Sequence, residues 1–337
     1  KIKGLNRIIP GGRHIESMGD NLLLYTLDDG MYCNGALISP TYLYPYLNYD
    51  GGHYLRSSEP PAIYRLDSES NSIGLCVSRS RRIRLGTSDE LLLLGRYKNR
   101  EHTYTLELEG KVIWTKTTSF SQVIQVGPYA LFYQGRGQLE SSCQLIELTT
   151  GAVVWELDHP DAYISQVYPY EDKVVIVWFW ELGSKGTNRV LCVEVPSGKV
   201  LWENDASREY KKYGEDKLVQ FYVHYWEDGN DDEDLYTELD VHTGEVYTRR
   251  YPGYNANVFV TTIYKDYLFY GAEKADAYVG AIDLRTHEML DEVKVDFTPG
   301  DFNHIKSIGV HEGQLYVEIQ TEHDHSDIHV LDLDEDE

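Results

Sequence analysis

Basic residues are scarce. There are 31 Lys and Arg against 55 Asp and Glu, a formal charge of −24. A field of that sign repels phosphate backbones, so direct nucleic-acid binding is disfavoured, and it attracts basic partners. Long apolar runs are also lacking. The longest, Val174 to Trp180, is far shorter than the ~20 residues a membrane helix needs. Cysteine is sparse: Cys33, Cys76, Cys143 and Cys192 lie far apart. No CxxC pair exists, which argues against zinc, and four cysteines are too few for a disulfide scaffold in a chain this long. All four sit in strand-like apolar text. That suits buried thiols in a reducing compartment, so a cytoplasmic location is expected. No signal peptide or lipidation motif is visible. The chain begins at Lys1, which leaves open a signal removed upstream. GxSxG, P-loop, HExxH and dinucleotide-binding fingerprints are all missing.

Aromatic residues are plentiful, with 28 Tyr, 8 Phe and 6 Trp, enough for a large core. They fall in a repeat. Residues 142–157 read SCQLIELTTGAVVWEL, 189–204 read RVLCVEVPSGKVLWEN, and 235–250 read LYTELDVHTGEVYTRR. A shortened copy stands at 103–116 and a degenerate one at 278–293. Each copy alternates apolar and polar residues, turns at a tight loop, and alternates again, which is a β-hairpin. The turn glycines Gly110, Gly151, Gly198 and Gly244 are spaced 41, 47 and 46 residues apart, and His287 follows 43 later. Glycine there tolerates a positive φ. Trp114, Trp155, Trp202 and Tyr247 recur three or four residues after each turn, as a repeated core plug would.

Two further strand signals precede each hairpin. Four short strands in about 40–45 residues are the signature of a β-propeller blade. The units run at about 12–78, 82–116, 121–157, 162–204, 207–250 and 257–294, and a last one begins at 303 with three strands. The N-terminal segment IKGLNRII (2–9) is left over, and docking it as the missing outer strand closes the ring. The expected fold is therefore all-β: one seven-bladed propeller over 1–337, with four-stranded blades and a Tyr-rich insertion at about 27–61. An eight-bladed ring, with the 21–60 region as a blade of its own, is the runner-up.

The pattern apolar-Asp/Glu-x-x-(Thr/Ser)-Gly-x-x-x-Trp, as in IELTTGAVVW and VEVPSGKVLW, resembles the PQQ-like repeats of quinoprotein-type propellers. The resemblance implies a fold and little else. Quinoprotein dehydrogenases typically have eight blades and an adjacent cysteine pair at the cofactor. This chain has no Cys-Cys and reads as seven blades, so no cofactor is expected.

Propeller topology puts first-to-second and third-to-fourth turns on one face, and these are short. The other face carries second-to-third loops and blade connections, which read as long: 27–61, 98–102, 134–140, 181–187, 227–234, 251–256, 296–302 and 321–327. Binding usually sits on loops held by a rigid scaffold. Tyr42, Tyr44, Tyr46, Tyr49 and Tyr54 crowd one stretch, and tyrosine suits interfaces. Trp180 and Trp226 are placed to line a mouth beside that face. The acidic loop with Glu227, Asp228, Asp231, Asp232, Glu233 and Asp234 suits a basic partner. It fails as a calcium loop because its sixth position from Asp228 is Glu233. His323-Asp324-His325 invites a surface metal, although acidic His-bearing loops are common. Arg79, Arg81, Arg82 and Arg84 form the one basic cluster.

The leading expectation is a non-catalytic propeller that binds a basic protein through the long-loop face, one version being an inhibitor or immunity protein of a basic toxin. A small-ligand or glycan-binding propeller and an enzyme on a propeller scaffold are the alternatives.

Overall fold

Within the run Lys173–Phe179, Val174, Ile176 and Trp178 point to one side of the strand, and Val175 and Val177 to the other. Both sets are fully buried, but in different clusters. The first packs with Leu131, Cys143 and Leu145, and the second with Tyr210, Leu218 and Leu239. A strand apolar on both faces must lie in a sheet covered on both faces. In the computed structural model that is the arrangement throughout: small antiparallel sheets stacked side by side, all-β. The structure describes residues 1–334 except 19, 50–51, 59–60, 68, 70–71, 79–81, 89–90, 99–100, 135–139, 161, 180–187, 207–208, 225–232, 274–275, 291 and 296–303.

The described strands form eight sheets. In chain order the blades cover 12–39, 44–78, 82–118, 122–160, 163–206, 211–252, 256–294 and finally 304–333 joined by 2–9. They are numbered 1–8 below. Neighbouring blades touch all the way round, from blade 8 to blade 1 through the inner strands His304–His311 and Gly12–Met18. The count corrects the expectation of seven. Residues 12–78, read as one unit, hold two blades, and the described part of 27–61 supplies the strands Gly30–Cys33, Ala36–Ser39, Tyr44–Tyr49 and Gly52–Ser58 rather than an insertion. Blade 1 was hidden because its third and outer strands, Gly30–Cys33 and Ala36–Ser39, have four residues each. They are joined by Asn34-Gly35, both at positive φ (50° and 82°). That pair is a strong hairpin signal in its own right.

Closure is as expected. Ile2–Ile9 pairs antiparallel with His325–Leu333, from Ile2 opposite Leu333 to Ile9 opposite Ile328. Ile2 is buried at the seam, and Lys3 meets Asp334 at 2.6 Å.

The repeat residues join one blade to the next. Trp114 Nε1 donates to the Leu148 carbonyl at 2.7 Å, Trp155 to Val195 at 2.6 Å, and Trp202 to Val241 at 2.9 Å. Each indole also lies on the turn glycine of the following blade. A Cβ on Gly151, Gly198 or Gly244 would come within 2.9, 2.7 or 2.6 Å of Trp114, Trp155 or Trp202. These glycines thus answer two demands, a φ of 71–75° and a tryptophan against the backbone. The acidic residue of the motif fixes the same turn: Asp240 Oδ1 accepts the His242 and Thr243 amides, and Glu147 accepts from Thr150 Oγ1.

At the next joint the chemistry changes. His287 takes the left-handed position (φ 59°), and Tyr247 stacks on it at 4.6 Å. Its Nε2 lies 3.0 Å from Glu238 Oε2, which also accepts from Tyr236, while Lys217 meets Oε1 at 2.5 Å. Burial opposes ionisation of Glu238, but the bonds from Lys217, His287 and Tyr236 outweigh it and hold the carboxyl below its ordinary value.

Cys33, Cys143 and Cys192 are buried, and desolvation pushes the thiols up to about 11, 12 and 11.

Two outcomes follow from the joints and the closure. Gly198→Ala should cost about 3 kcal/mol, combining left-handed strain of ~1–2 with overpacking of ~1–3. Gly110→Ala meets no atom within 4 Å and should cost only the backbone part. Denaturant unfolding of the two variants measures the difference, and equal costs would contradict it. Deleting residues 2–9 should lower the melting temperature by on the order of 10 °C, because several kcal/mol of pairing and burial vanish. An unchanged melting curve would show that the ring does not depend on this strand.

Candidate ligand cleft on the upper face

Inner strands begin, and second strands end, on one face of the ring, called the upper face here. It is the face expected to carry the long loops, yet several of those loops are tight. His323 and Asp324 form a two-residue turn between Gln314–Glu322 and His325–Leu333, with Glu322 paired to His325. Lys98 pairs directly with Glu101.

A cleft of about 460 Å³ opens on this face between blades 8 and 1, with Tyr42 from the connection into blade 2 on its wall. Its shape starts with a backbone irregularity. The inner strand of blade 1 shifts register between Arg13 and Glu16, and His14 within the bulge has φ 57°. Bulges often re-aim side chains beside sites. Here the freed amides turn toward blade 8: His14 N–H donates to Glu318 Oε2 at 3.1 Å and Ile15 N–H to Ser307 Oγ at 3.2 Å. Ser307 Oγ in turn donates to Glu318 Oε2 at 2.6 Å. Glu318 is 5% exposed, so its carboxylate sits at the cleft wall inside the protein. Arg13 is fixed by its Nη2, which donates to the Asp324 carbonyl at 2.7 Å.

The second wall is aromatic. Tyr42 is half-buried, its ring 4.9 Å from His14, 5.3 Å from Tyr25 and 4.7 Å from Tyr44. Burial, with the negative charges of Glu16 and Glu318, pushes its hydroxyl up to about 12. Glu16 lines the cleft as well. Desolvation raises its carboxyl above the ordinary value, and Lys211 of blade 6 works in the opposite direction.

Of the residues singled out from sequence, Tyr42, His323 and Asp324 line this cleft. Tyr44 is 42% exposed and carries the Arg56 guanidinium 5.3 Å over its ring. Tyr54 is buried in the second strand of blade 2, so it is core rather than interface. Tyr46 and Tyr49 belong to the inner strand Tyr44–Tyr49, and their side chains lie outside the described residues. Trp180, Trp226, Asp228, Asp231 and Asp232 also lie outside them, as do Arg79 and Arg81. Glu233 pairs with Arg250 at 3.1 Å.

Asp234 requires a correction. It is fully buried, and its carboxylate accepts the amides of Tyr254, Asn255 and Ala256 at 2.6, 2.9 and 2.7 Å. It pins the connection from blade 6 to blade 7 and has no free face for a partner. His323 and His325 each lie beside a near neighbour's carboxylate, Asp324 at 3.3 Å and Asp327 at 3.1 Å. Sequence reasoning missed Glu318, His14 and Ser307. The EIQ of QLYVEIQ, a carboxylate in an otherwise apolar middle strand, was the available signal.

A second cleft, on the opposite face, measures about 570 Å³. Its polar groups bond one another: Arg7 to Gln314, and Gln314 and Asn6 to Asp332.

No known family matches the chain, and no curated protein matches it. Solved structures do. The computationally designed Ika8 protein aligns over 98% of both chains at 11% identity, with a TM-score of 0.56. The Dos1 propeller aligns over 96% of this chain and 95% of its own, at 12% identity and a TM-score of 0.52. A structure from a study of two prolyl endopeptidases aligns over 94% of this chain but 55% of its own, at 10% identity and a TM-score of 0.57. The shared fold is the β-propeller. Eight blades also remove one of the two grounds on which the sequence set a quinone cofactor aside; the lack of a Cys-Cys pair remains.

The anchoring role of Asp234 is testable. Asp234→Asn should cost about 3 kcal/mol, since hydrogen bonds to a charged group contribute ~1.5–3 each and the amide cannot keep all three. Glu233→Gln should cost under ~1 kcal/mol, the range of an exposed ion pair. Similar losses in denaturant unfolding would refute the assignment.

Proposed function

We propose that this chain is a non-catalytic protein-interaction propeller that receives a basic partner on its upper face. The observation that carries the reading is the combination of a −24 charge with a cleft on that face whose walls hold Glu16 and Glu318. Complementary charge speeds encounter and orients docking. An acidic inhibitor covering a basic toxin is one form of this reading, and a cytoplasmic setting suits the three buried thiols. The PQQ-like character of the repeat belongs here as well: it is supported by the Trp-on-turn contacts of blades 3–6.

Affinity capture from the native cell extract, followed by mass spectrometry, tests the reading at about 50 mM and about 300 mM salt, which shorten the screening length severalfold relative to dilute buffer. A single basic protein held at low salt and weakened at high salt is expected. A partner of neutral or acidic character, or recovery independent of salt, would contradict it. A size near 460 Å³ also falls within the range of small-molecule sites, which favours a small polar ligand as the second reading.

A further inference from the structure

We propose that the cleft between blades 8 and 1 is a socket for one guanidinium or ammonium group, an exposed Arg or Lys side chain of the basic partner. The inference rests on the interaction reading above and makes it specific.

Glu318 is the first ground. A buried carboxylate is costly unless paired or well hydrogen-bonded. Both donors the structure gives it, the His14 amide and the Ser307 hydroxyl, fall on Oε2. Oε1 accepts no hydrogen bond among the described residues, and no described cation pairs with the group, although Glu318 lines the cleft. A guanidinium entering the cleft supplies the missing charge-assisted bond. The pre-bonded Oε2 also holds the carboxylate in place before any ligand arrives.

The second ground is the company Glu318 keeps. Glu16 and Tyr42 line the same cleft, and the negative charges of Glu16 and Glu318 both act on the Tyr42 hydroxyl. Tyr42 meets Tyr25 and Tyr44 edge-on, at 67° and 74°. An electron-rich ring beside two carboxylates is the surrounding that favours an organic cation. The chain already uses this corner in that way, since Arg56 lies over the face of the adjoining Tyr44.

Two resident cations line the cleft. Arg13 is bound to the Asp324 carbonyl. Lys306 makes no ion pair among the described residues and should repel an incoming cation.

The test uses the whole chain and a defined probe: acetylated, amidated Gly-Arg-Gly, with the neutral citrulline peptide as its isostere, followed by amide NMR at low salt. The arginine peptide should shift the His14, Gln320 and Glu318 amides saturably. The citrulline peptide should bind at least about tenfold more weakly, the loss expected of one charge-assisted hydrogen bond. Glu318→Gln and Glu16→Gln should each weaken the arginine peptide severalfold, and Lys306→Ala should strengthen it. Glu16 is exposed, so its variant keeps the fold even if Glu318→Gln disturbs the bulge. Equal binding of the two peptides, or wild-type affinity in both acidic variants, overturns the socket. A basic protein captured equally by wild type and both variants overturns the socket and leaves the interaction reading standing. Saturation by the arginine peptide with no basic protein captured sustains the socket and removes the protein partner.

Discussion

The contact that organises this molecule is an indole laid on the turn of the next blade. Trp114, Trp155 and Trp202 each lend a face to a glycine backbone and an N–H to the carbonyl three residues before that glycine. Neither half works alone. The turn must be left-handed to reverse the outer hairpin tightly, and it must lack a side chain to receive the indole. At these joints the indole adds a directional contact to the non-directional apolar packing between neighbouring sheets. Where His287 replaces glycine, the partner is Tyr247, and a buried carboxylate, Glu238, is recruited to hold the imidazole. The same joint is thus built with ring stacking and charge in place of close backbone approach.

With the outer and lower parts of each blade committed to these joints and to ring closure, the upper face is free to vary. The cleft shows how. One extra-register residue in an inner strand aims two amides across a blade boundary, and a carboxylate on the next blade accepts one of them. The partner of the other amide, Ser307, donates to the same carboxylate oxygen. The result is a fixed acceptor at the rim of a rigid ring, which is the pre-organisation that makes recognition of a charged group favourable.

Much of the fold was legible because it repeats. The motif's Gly and Trp give spacing, and alternation gives the strands. Blade 1 was not legible in that way: its four-residue strands carry little periodic signal, it has no motif tryptophan, and its Asn34-Gly35 turn lies inside text that reads as a loop. The site was legible at Tyr42 and at the His323-Asp324 turn. His14 comes from blade 1 and Ser307 and Glu318 from two strands of blade 8, and convergence across a blade boundary leaves no spacing to read. Asp234 was misread for the opposite reason. Its position in an acidic run suggests a solvated face, but register places it opposite Tyr251 in the sheet, where it turns inward onto three amides. Charge runs report composition, whereas burial is decided residue by residue by the pleat.

The most direct test of the account is a double-mutant cycle at one joint, measured by equilibrium unfolding. Gly198→Ala is made in the native chain and again in a Trp155→Ala background. If the indole is what forbids a side chain on the turn, the second substitution should cost less than the first by more than about 1 kcal/mol, leaving only the left-handed strain. An unchanged cost would mean that Trp155 and Gly198 act independently, and that the blades are held together by something other than this contact.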